Sequence, residues 1–378
     1  MKIVYCIAGT YNSGGMERVL ANKANYLAAH GYEVIIITTD QKERKPFFAL
    51  SPKILCIDLD VNYADNNNKG FLNKVWHYPF KVRKHKQRLT RFLHILQADI
   101  VISMFCNDES FITNIRDGSF KLLEIHFSKF KRMQYGRKGI WKLADWWRSK
   151  MDEIVVRRFD KFIVLTHEDK DYWGDLPNIE VIENAKNEWG YHRAALENKQ
   201  AIAVGRYDYQ KGFERLIAAW RLVYERFPDW KLKIIGDGEA RNELEVLVEK
   251  YGLGCVIELK KSVPDILQEY LDASFLVMSS RYEGLPMVLL EAMSVGLPMV
   301  AFECKCGPRD LISDGEDGFL VPEGDIQVLA ERIMQLIDNP DLRHRMGQVA
   351  KIKSERFAEC VIMDKWVKLF DNLLSENV

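Results

Sequence analysis

Short apolar runs alternate with amphipathic stretches along nearly the whole chain, and turns rich in glycine or polar residues separate them. A strand over 3–8, a Gly-rich turn, a helix over about 16–30 and a strand over 34–38 form one β-turn-α-β unit, the repeating piece of a doubly wound sheet. Apolar runs at 99–104, 120–125 and 160–165 read as further parallel strands, since strands buried on both faces are almost continuously apolar. The pattern restarts at Ala201-Ile-Ala-Val204, with a helix from about 212 and a strand at 231–235. Helices at 239–251 and near 264–271, and strands at 255–259, 273–278, 298–302 and 318–321, follow. The expected fold class is therefore α/β, with two Rossmann-like doubly wound domains over 1–190 and 191–357. Polar residues from Glu183 to Trp189 interrupt the pattern between them. The amphipathic segment 358–376 (Val361, Trp366, Phe370, Leu373) predicts a last helix that packs back on the first domain. Asn66-Asn67-Asn68 reads as a loop.

A length of 378 residues exceeds one ordinary core, and 47% hydrophobic residues with nine tryptophans fit a folded globular protein. The first residues run straight into a strand, and no run approaches about 18 apolar residues, so neither a signal peptide nor a spanning helix is expected. Seven cysteines, an odd number without metal-ligand spacing, suit a reducing cytoplasm, and Cys304 and Cys306 read as ordinary thiols. The net charge of zero hides an asymmetry: residues 1–150 hold 25 Lys+Arg against 13 Asp+Glu, and the remainder 29 against 41. Much of the excess lies in 81–88 and 129–138, interleaved with Phe71, Trp76, Tyr78, Phe80, Phe127, Phe130, Tyr135, Trp141, Trp146 and Trp147. Such a stretch suits an anionic membrane surface, which gives a localisation in the cytoplasm or on the inner face of its membrane. Its plain alternative is a solvated basic face with the tryptophans in the core. Nothing resembles a nucleic-acid module, so no nucleic acid is expected as a partner.

The most informative string is Glu283-Gly-Leu-Pro-Met-Val-Leu-Leu-Glu291-Ala-Met-Ser-Val-Gly-Leu-Pro298. It follows the apolar run 273–278, and Pro286 suits the first position of a helix because its missing N–H is not needed there. The free amides of Met287 and Val288 would then face outward, where a helix N-terminus holds phosphate. Glu283 and Glu291 cannot bind phosphate, but carboxylates accept hydrogen bonds from sugar hydroxyls. Two of them flanking an amide nest describe a pocket for a nucleotide sugar. Arg206 and Lys211, five residues apart on the loop after the first strand of the second domain, can converge on a diphosphate. Gly14-Gly15 lies between strand and helix in the first domain, where glycine lets a ligand approach the backbone. No six-residue dinucleotide fingerprint is present, and Asp40, the only acid after strand 34–38, sits in a charged loop; a dinucleotide is disfavoured. His126 ends the run 121–125, where open α/β sheets place ligands, and it is too far in sequence from His167 to be called its pair. Asp237 reads as a turn device near a helix start. Asp58 and Asp60 would share one face of a strand and read as coincidental; no metal cluster is evident.

These strings resemble the family 4 retaining glycosyltransferases (glycosyl transferases group 1), whose fold is called GT-B. The match lies in the Glu-x7-Glu of 283–291, Gly205-Arg206…Lys211-Gly212, Gly14-Gly15-Met-Glu-Arg18 and Gly307-Pro308-Arg-Asp310. The resemblance implies two domains facing a cleft, with the donor on the second and the acceptor on the first. It implies that Arg206 and Lys211 meet the diphosphate, Glu283 the donor sugar and Glu291 the ribose. His126 would lie near the donor's reacting carbon and the Gly15 amide by the diphosphate or acceptor. Arg206, Lys211, Glu283 and His126 are thus the expected catalytic residues, and Gly15, Leu285, Met287, Val288 and Glu291 the expected contacts of the donor nucleotide sugar. Two departures are the glycine-free turn from Lys260 to Pro264, which bears on base recognition, and Asn184-Ala185 in place of a common Asn-Gly. The expected activity is metal-independent, cofactor-free, retaining transfer of a hexose or N-acetylhexosamine from a UDP-sugar. The expected acceptor is a saccharide, lipid-linked, in capsule or lipopolysaccharide assembly. The other readings are an epimerase or phosphorylase of the same fold and a non-catalytic sugar-nucleotide binder.

Overall fold

The computed structural model describes residues 1–66, 71–131, 139–263 and 265–375, without the side chains of 66, 71–75, 140 and 141. Expectations for Asn67 and Asn68, for 132–138 with Tyr135, for Pro264 and for the side chains of Phe71 and Trp141 lie outside the described residues. The chain divides into two compact units. Unit 1 comprises Met1–Leu165, Lys170–Ile182 and Met363–Val378; unit 2 comprises Thr166–Asp169 and Glu183–Ile362.

Unit 1 holds strands β1 (Lys2–Ile7), β2 (Glu33–Thr38), β3 (Leu55–Asp58), β4 (Ile100–Ser103), β5 (Phe120–Glu124), β6 (Lys161–Val164) and β7 (Ile179–Val181). They pair in parallel in the order β3-β2-β1-β4-β5-β6-β7. The helices are α1 (Gly15–Ala29), α2 (Phe71–Leu96), α3 (Ile140–Val156) and α4 (His167–Trp173). The order reverses between β1 and β4, the switch point at which open sheets leave a crevice for ligands. Helix α2 is seated by His85, Leu89 and Leu93, buried at a spacing of four along one stripe.

Unit 2 repeats the plan with β8 (Gln200–Val204), β9 (Lys231–Ile235), β10 (Ile257–Lys260), β11 (Phe275–Met278), β12 (Met299–Phe302) and β13 (Gly318–Val321). Its parallel order is β10-β9-β8-β11-β12-β13, with the switch between β8 and β11. The helices are α5 (Phe213–Arg226), α6 (Arg241–Lys250), α7 (Leu267–Leu271), α8 (Met287–Ser294), α9 (Pro308–Leu311), α10 (Ile326–Asp338) and α11 (Pro340–Ser354). A last helix, α12 (Glu359–Ser375), begins among unit 2 residues and ends among those of unit 1. Trp220, Phe275 and Phe302 sit fully buried in the unit 2 core, where β8, β11 and β12 form an apolar floor.

One expectation here needs correction. Asp58 and Asp60 do not share a strand face: β3 ends at Asp58, and Asp60 adopts a left-handed φ of 47° beyond it. Asp58 accepts the Lys42 amide, and Asp60 pairs with Lys84 and Arg88, so both brace loops. Asp40 does lie in the loop after β2, and it is buried there, with oxygens taken by the Ala64 amide and Thr39 Oγ1. Asp237 is a turn device near a helix start, as expected: it accepts the Gly238 amide, and Ala240 caps α6. All seven cysteines are free. Among the described residues no helix is long and apolar enough to cross a membrane.

Candidate active site

Two loops of unit 2 carry the candidate residues, and they leave the strands that flank its switch point, β8 and β11. Lys211, on the first loop, donates from Nζ to Glu283 Oε1, on the second, at 2.7 Å. Ser280 Oγ donates to the same oxygen at 2.6 Å, and Gln210 Nε2 lies 3.4 Å from Glu283 Oε2. Glu283 is nearly buried, and its own amide reaches the Lys305 carbonyl, so the carboxylate is fixed at both ends. The close approach of the loops depends on backbone without side chain. Gly212 has a φ of +61°, and a Cβ there would stand 2.5 Å from the Ser279 carbonyl. Gly307 has a φ of +97°, and its Cβ would meet Pro286 Cδ at 2.5 Å and the Gly284 carbonyl at 2.8 Å. Arg206, by contrast, extends into solvent and touches Asp208 and Gln210, at 3.2 and 3.3 Å. The structure thus joins Lys211 to Glu283 and leaves the Arg206 guanidinium exposed on the same loop.

Pro286 precedes α8 as its N-cap instead of occupying the first helical position, a shift of one residue from the expectation. The amides of Met287 and Val288 open the helix, and an α-helix leaves its first amides without intrahelical acceptors. Leu285 is buried beside them. Glu291 lies one turn on and is buried. Its Oε2 accepts from the Tyr270 hydroxyl at 2.7 Å and its Oε1 from Asn187 Nδ2 at 3.1 Å. The indole of Trp189 leans on Tyr270, with ring centroids 5.6 Å apart. Asn184, at the position of the common Asn-Gly, donates weakly to Met287 Sδ at 3.5 Å.

The segment Gly307-Pro308-Arg-Asp310 lies against the α8 loop through Gly307, and Asp310 Oδ1 accepts the amide of His167 at 2.7 Å. His167 therefore serves as a helix start, with its backbone doing the binding. Burial pushes the Asp310 carboxyl up, opposed by the amides of His167 and Glu168. Burial, with the Glu283 charge beside it, also pushes the Cys304 thiol well up, which leaves it a neutral, unreactive group.

Gly15 and His126 belong to unit 1. Gly14 caps α1 and Gly15 is its first residue; a Cβ on Gly15 would meet nothing within 4 Å, so the backbone there is open to approach. His126 follows β5 and is nearly buried, with Nε2 3.0 Å from Glu124 Oε1. Lys23, on α1, holds both oxygens of Glu124 at 2.5 Å. Burial works against a charged Glu124, but the Lys23 ammonium and the His126 imidazole outweigh it and hold the carboxyl down to about 2. Tyr270, Asn187, Ser280, Gln210, Lys23 and Glu124 were not singled out from the sequence. Only Glu124 carried a usable signal, since positions i and i+2 at a strand end point to the same side of the sheet.

Residues 13–187 match Glycosyltransferase Family 4, and residues 189–353 match Glycosyl transferases group 1. An uncharacterized glycosyltransferase of Haemophilus influenzae is 30% identical over 97% of this chain and 98% of its own length. The chain belongs to the family 4 glycosyltransferases. It is thus an enzyme that moves a sugar, within polysaccharide or glycan biosynthesis. Among family members, the amylovoran biosynthesis glycosyltransferase AmsD of Erwinia amylovora is 29% identical, covering 97% of this chain and 98% of its own. An N-acetyl-D-galactosaminyltransferase of Campylobacter jejuni, named for a saccharide on PP-undecaprenol, is 26% identical over 98% of both chains. The fold matches that of S. aureus TarM, solved with UDP, alpha-GlcNAc-glycerol and fondaparinux. Its TM-score is 0.78 at 18% identity, covering 98% of this chain and 99% of that one.

Proposed function

We propose that this family member transfers a hexose or N-acetylhexosamine from a UDP-linked donor, with retention and without a metal ion, to a lipid-linked saccharide acceptor of a cell-surface polysaccharide. The observation that carries this reading is the unit 2 cluster. A cation (Lys211), a clamped carboxylate (Glu283) and the N-terminus of α8 sit on two loops that meet at Gly212, with the loop of Gly307 packed against the second. Charge builds on the departing diphosphate as the glycosidic bond breaks. Lys211, Arg206 and the Met287 and Val288 amides supply the positive partners for it. Glu283 binds the donor sugar, and Glu291, fixed by Tyr270 and Asn187, takes the ribose. With no side chain assigned as nucleophile, the acceptor hydroxyl attacks the anomeric carbon on the face the diphosphate leaves. A leaving phosphate oxygen takes the hydroxyl proton. A UDP complex of the TarM relative and the PP-undecaprenol name of the Campylobacter relative support the donor and acceptor classes.

The membrane side of this reading rests on unit 1. Trp76 and Phe80 are 72% and 63% exposed on α2, and Trp146 and Trp147 are 50% and 59% exposed on α3. The reading that places these tryptophans in the core is therefore wrong for these three. On α3 the exposed positions Leu143, Trp147, Lys150 and Ile154 fall on one stripe, with Trp146 beside it, and Lys142 and Arg148 are exposed too. An apolar stripe edged with cations suits the interface of an anionic bilayer.

Thermal shifts with UDP, GDP, ADP and NAD, each in EDTA, test the donor site. The expected result is a rise with UDP alone that shrinks in Glu291→Ala; a rise with NAD and none with UDP would end this reading. Sedimentation with anionic vesicles tests the surface. Wild type should pellet and Trp146→Ala/Trp147→Ala should stay in solution, and equal recovery of wild type with and without vesicles would contradict it.

A further inference from the structure

Unit 1 buries an ion pair in a place where burial is costly. Lys23 and Glu124 have side chains only 6% and 1% exposed, and each carries charge out of water. Burial pushes Lys23 down, opposed by Glu124, while Lys23 and His126 draw the Glu124 carboxyl down against its own burial. A pair of well-packed apolar side chains of similar size stabilises a fold as well as, or better than, a buried ion pair. Stability alone therefore does not account for Lys23 and Glu124.

What distinguishes this pair is its surroundings. Trp366 of α12 lies with its ring centroid 4.1 Å from Lys23 Nζ, and Tyr5 of β1 contributes a second ring at 5.5 Å. The ammonium is thereby closed in by two aromatic faces and one carboxylate, which fixes Glu124 from behind. On its other side Glu124 Oε1 stands 3.0 Å from His126 Nε2. The contact is close, yet Nε2 makes no hydrogen bond of full geometry, so the carboxylate stands within reach of the ring without a finished bond. Histidines that act on substrates commonly have the nitrogen away from the substrate held by a carboxylate, which sets the tautomer and the ring orientation. Such contacts tighten when the substrate is seated.

We propose that Glu124, anchored by Lys23 under the Trp366 ring, is the positioning residue for His126, and that Nε2 faces Glu124 so that Nδ1 faces the substrate. This rests on the reading of His126 as a residue of the transfer reaction. It assigns a role in turnover to α12, whose Trp366 closes the stack, and to α1, whose N-terminus carries Gly15 and whose middle carries Lys23.

The test is a cycle on the full chain with Lys23→Met/Glu124→Gln, which removes both charges and keeps the volumes, read in wild type and in His126→Ala. If Glu124 acts through His126, the paired substitution lowers kcat on the order of 10- to 100-fold in wild type. It leaves the donor KM unchanged, and it lowers kcat no further in His126→Ala. Equal losses in both backgrounds would show a structural role and overturn the proposal, as would no loss in wild type. If His126→Ala itself turns over like wild type, the role of His126 fails and this inference with it, while an intact UDP thermal shift leaves the unit 2 donor site standing. A second readout needs no turnover: the ring 15N resonances of His126, identified by their absence in His126→Ala, should move in Glu124→Asp. That variant keeps the charge pair and draws the carboxylate back by one methylene. Unmoved His126 resonances in a folded Glu124→Asp protein would also overturn the proposal.

Discussion

Lys211 and Glu283 are each assigned to the donor, yet they bind one another, and this makes their substitutions diverge. Lys211→Met removes the ammonium that stands 2.7 Å from Glu283 Oε1, with side chains 16% and 8% exposed. Removing one partner of a buried pair costs about 3–5 kcal/mol, but Ser280 and Gln210 still donate to this carboxylate, which lowers the cost to about 1–2 kcal/mol. For a unit of the size of unit 2 that corresponds to a fall in Tm of roughly 2–8 °C. The loss in the reaction is larger. A preorganised donor of positive charge to a developing anion contributes about 3–4 kcal/mol, so kcat should fall on the order of 100- to 1,000-fold. Glu283→Gln acts in the opposite direction on nucleotide binding. It frees Lys211 from a competing carboxylate, so the affinity for UDP alone should be unchanged or higher even as transfer of the sugar fails. Isothermal titration with UDP and turnover with a UDP-sugar, run on both variants, separate these effects. Weaker UDP binding in Glu283→Gln than in Lys211→Met would refute the reasoning.

Three further outcomes follow from other contacts. Tyr270→Phe deletes the hydroxyl that holds Glu291 Oε2 at 2.7 Å; a hydrogen bond to a charged group is worth about 1.5–3 kcal/mol, so UDP affinity should fall roughly 10- to 100-fold, read by titration. Gly307→Ala places a methyl 2.5 Å from Pro286 Cδ at a left-handed φ, and should lower both Tm and UDP affinity, whereas Gly252→Ala, at a left-handed φ with nothing within 4 Å, should lower Tm alone. Burial pushes His85 down to about 4, below the usual value near 6.5. The stability from keeping it neutral is complete above about 6.5 and is lost as pH falls toward about 4, so wild-type Tm should drop across that window and His85→Phe should flatten the drop. Equal slopes for the two proteins would contradict this.

The two sheets were legible because a buried parallel strand is apolar on both faces: β11 and β12 are continuous apolar runs, and β1, β2 and β8 are apolar but for their end residues. β3 and β7 lacked that mark, since both lie at a sheet edge, and their patterns are mixed and short. α2 and α3 were read as a basic-aromatic composition because their exposed Trp and Phe residues blur the stripe that seats a helix. In the site, Lys211, Glu283 and Glu291 were visible through their spacing after strands. Their partners were not: Tyr270 and Asn187 lie 21 and 104 residues from Glu291 and meet it only through the sheet order. Pairings at such separations follow from tertiary packing and leave no local pattern.

Retention and independence of a metal ion are the central properties of the proposed transfer. Proton NMR of the product formed from an α-linked UDP-sugar and a lipid-linked acceptor analogue, with EDTA present, reads both at once. An α-anomeric signal appearing at the rate of UDP release is the predicted result. A β-anomeric product, or transfer that stops in EDTA and returns with a divalent ion, would contradict it.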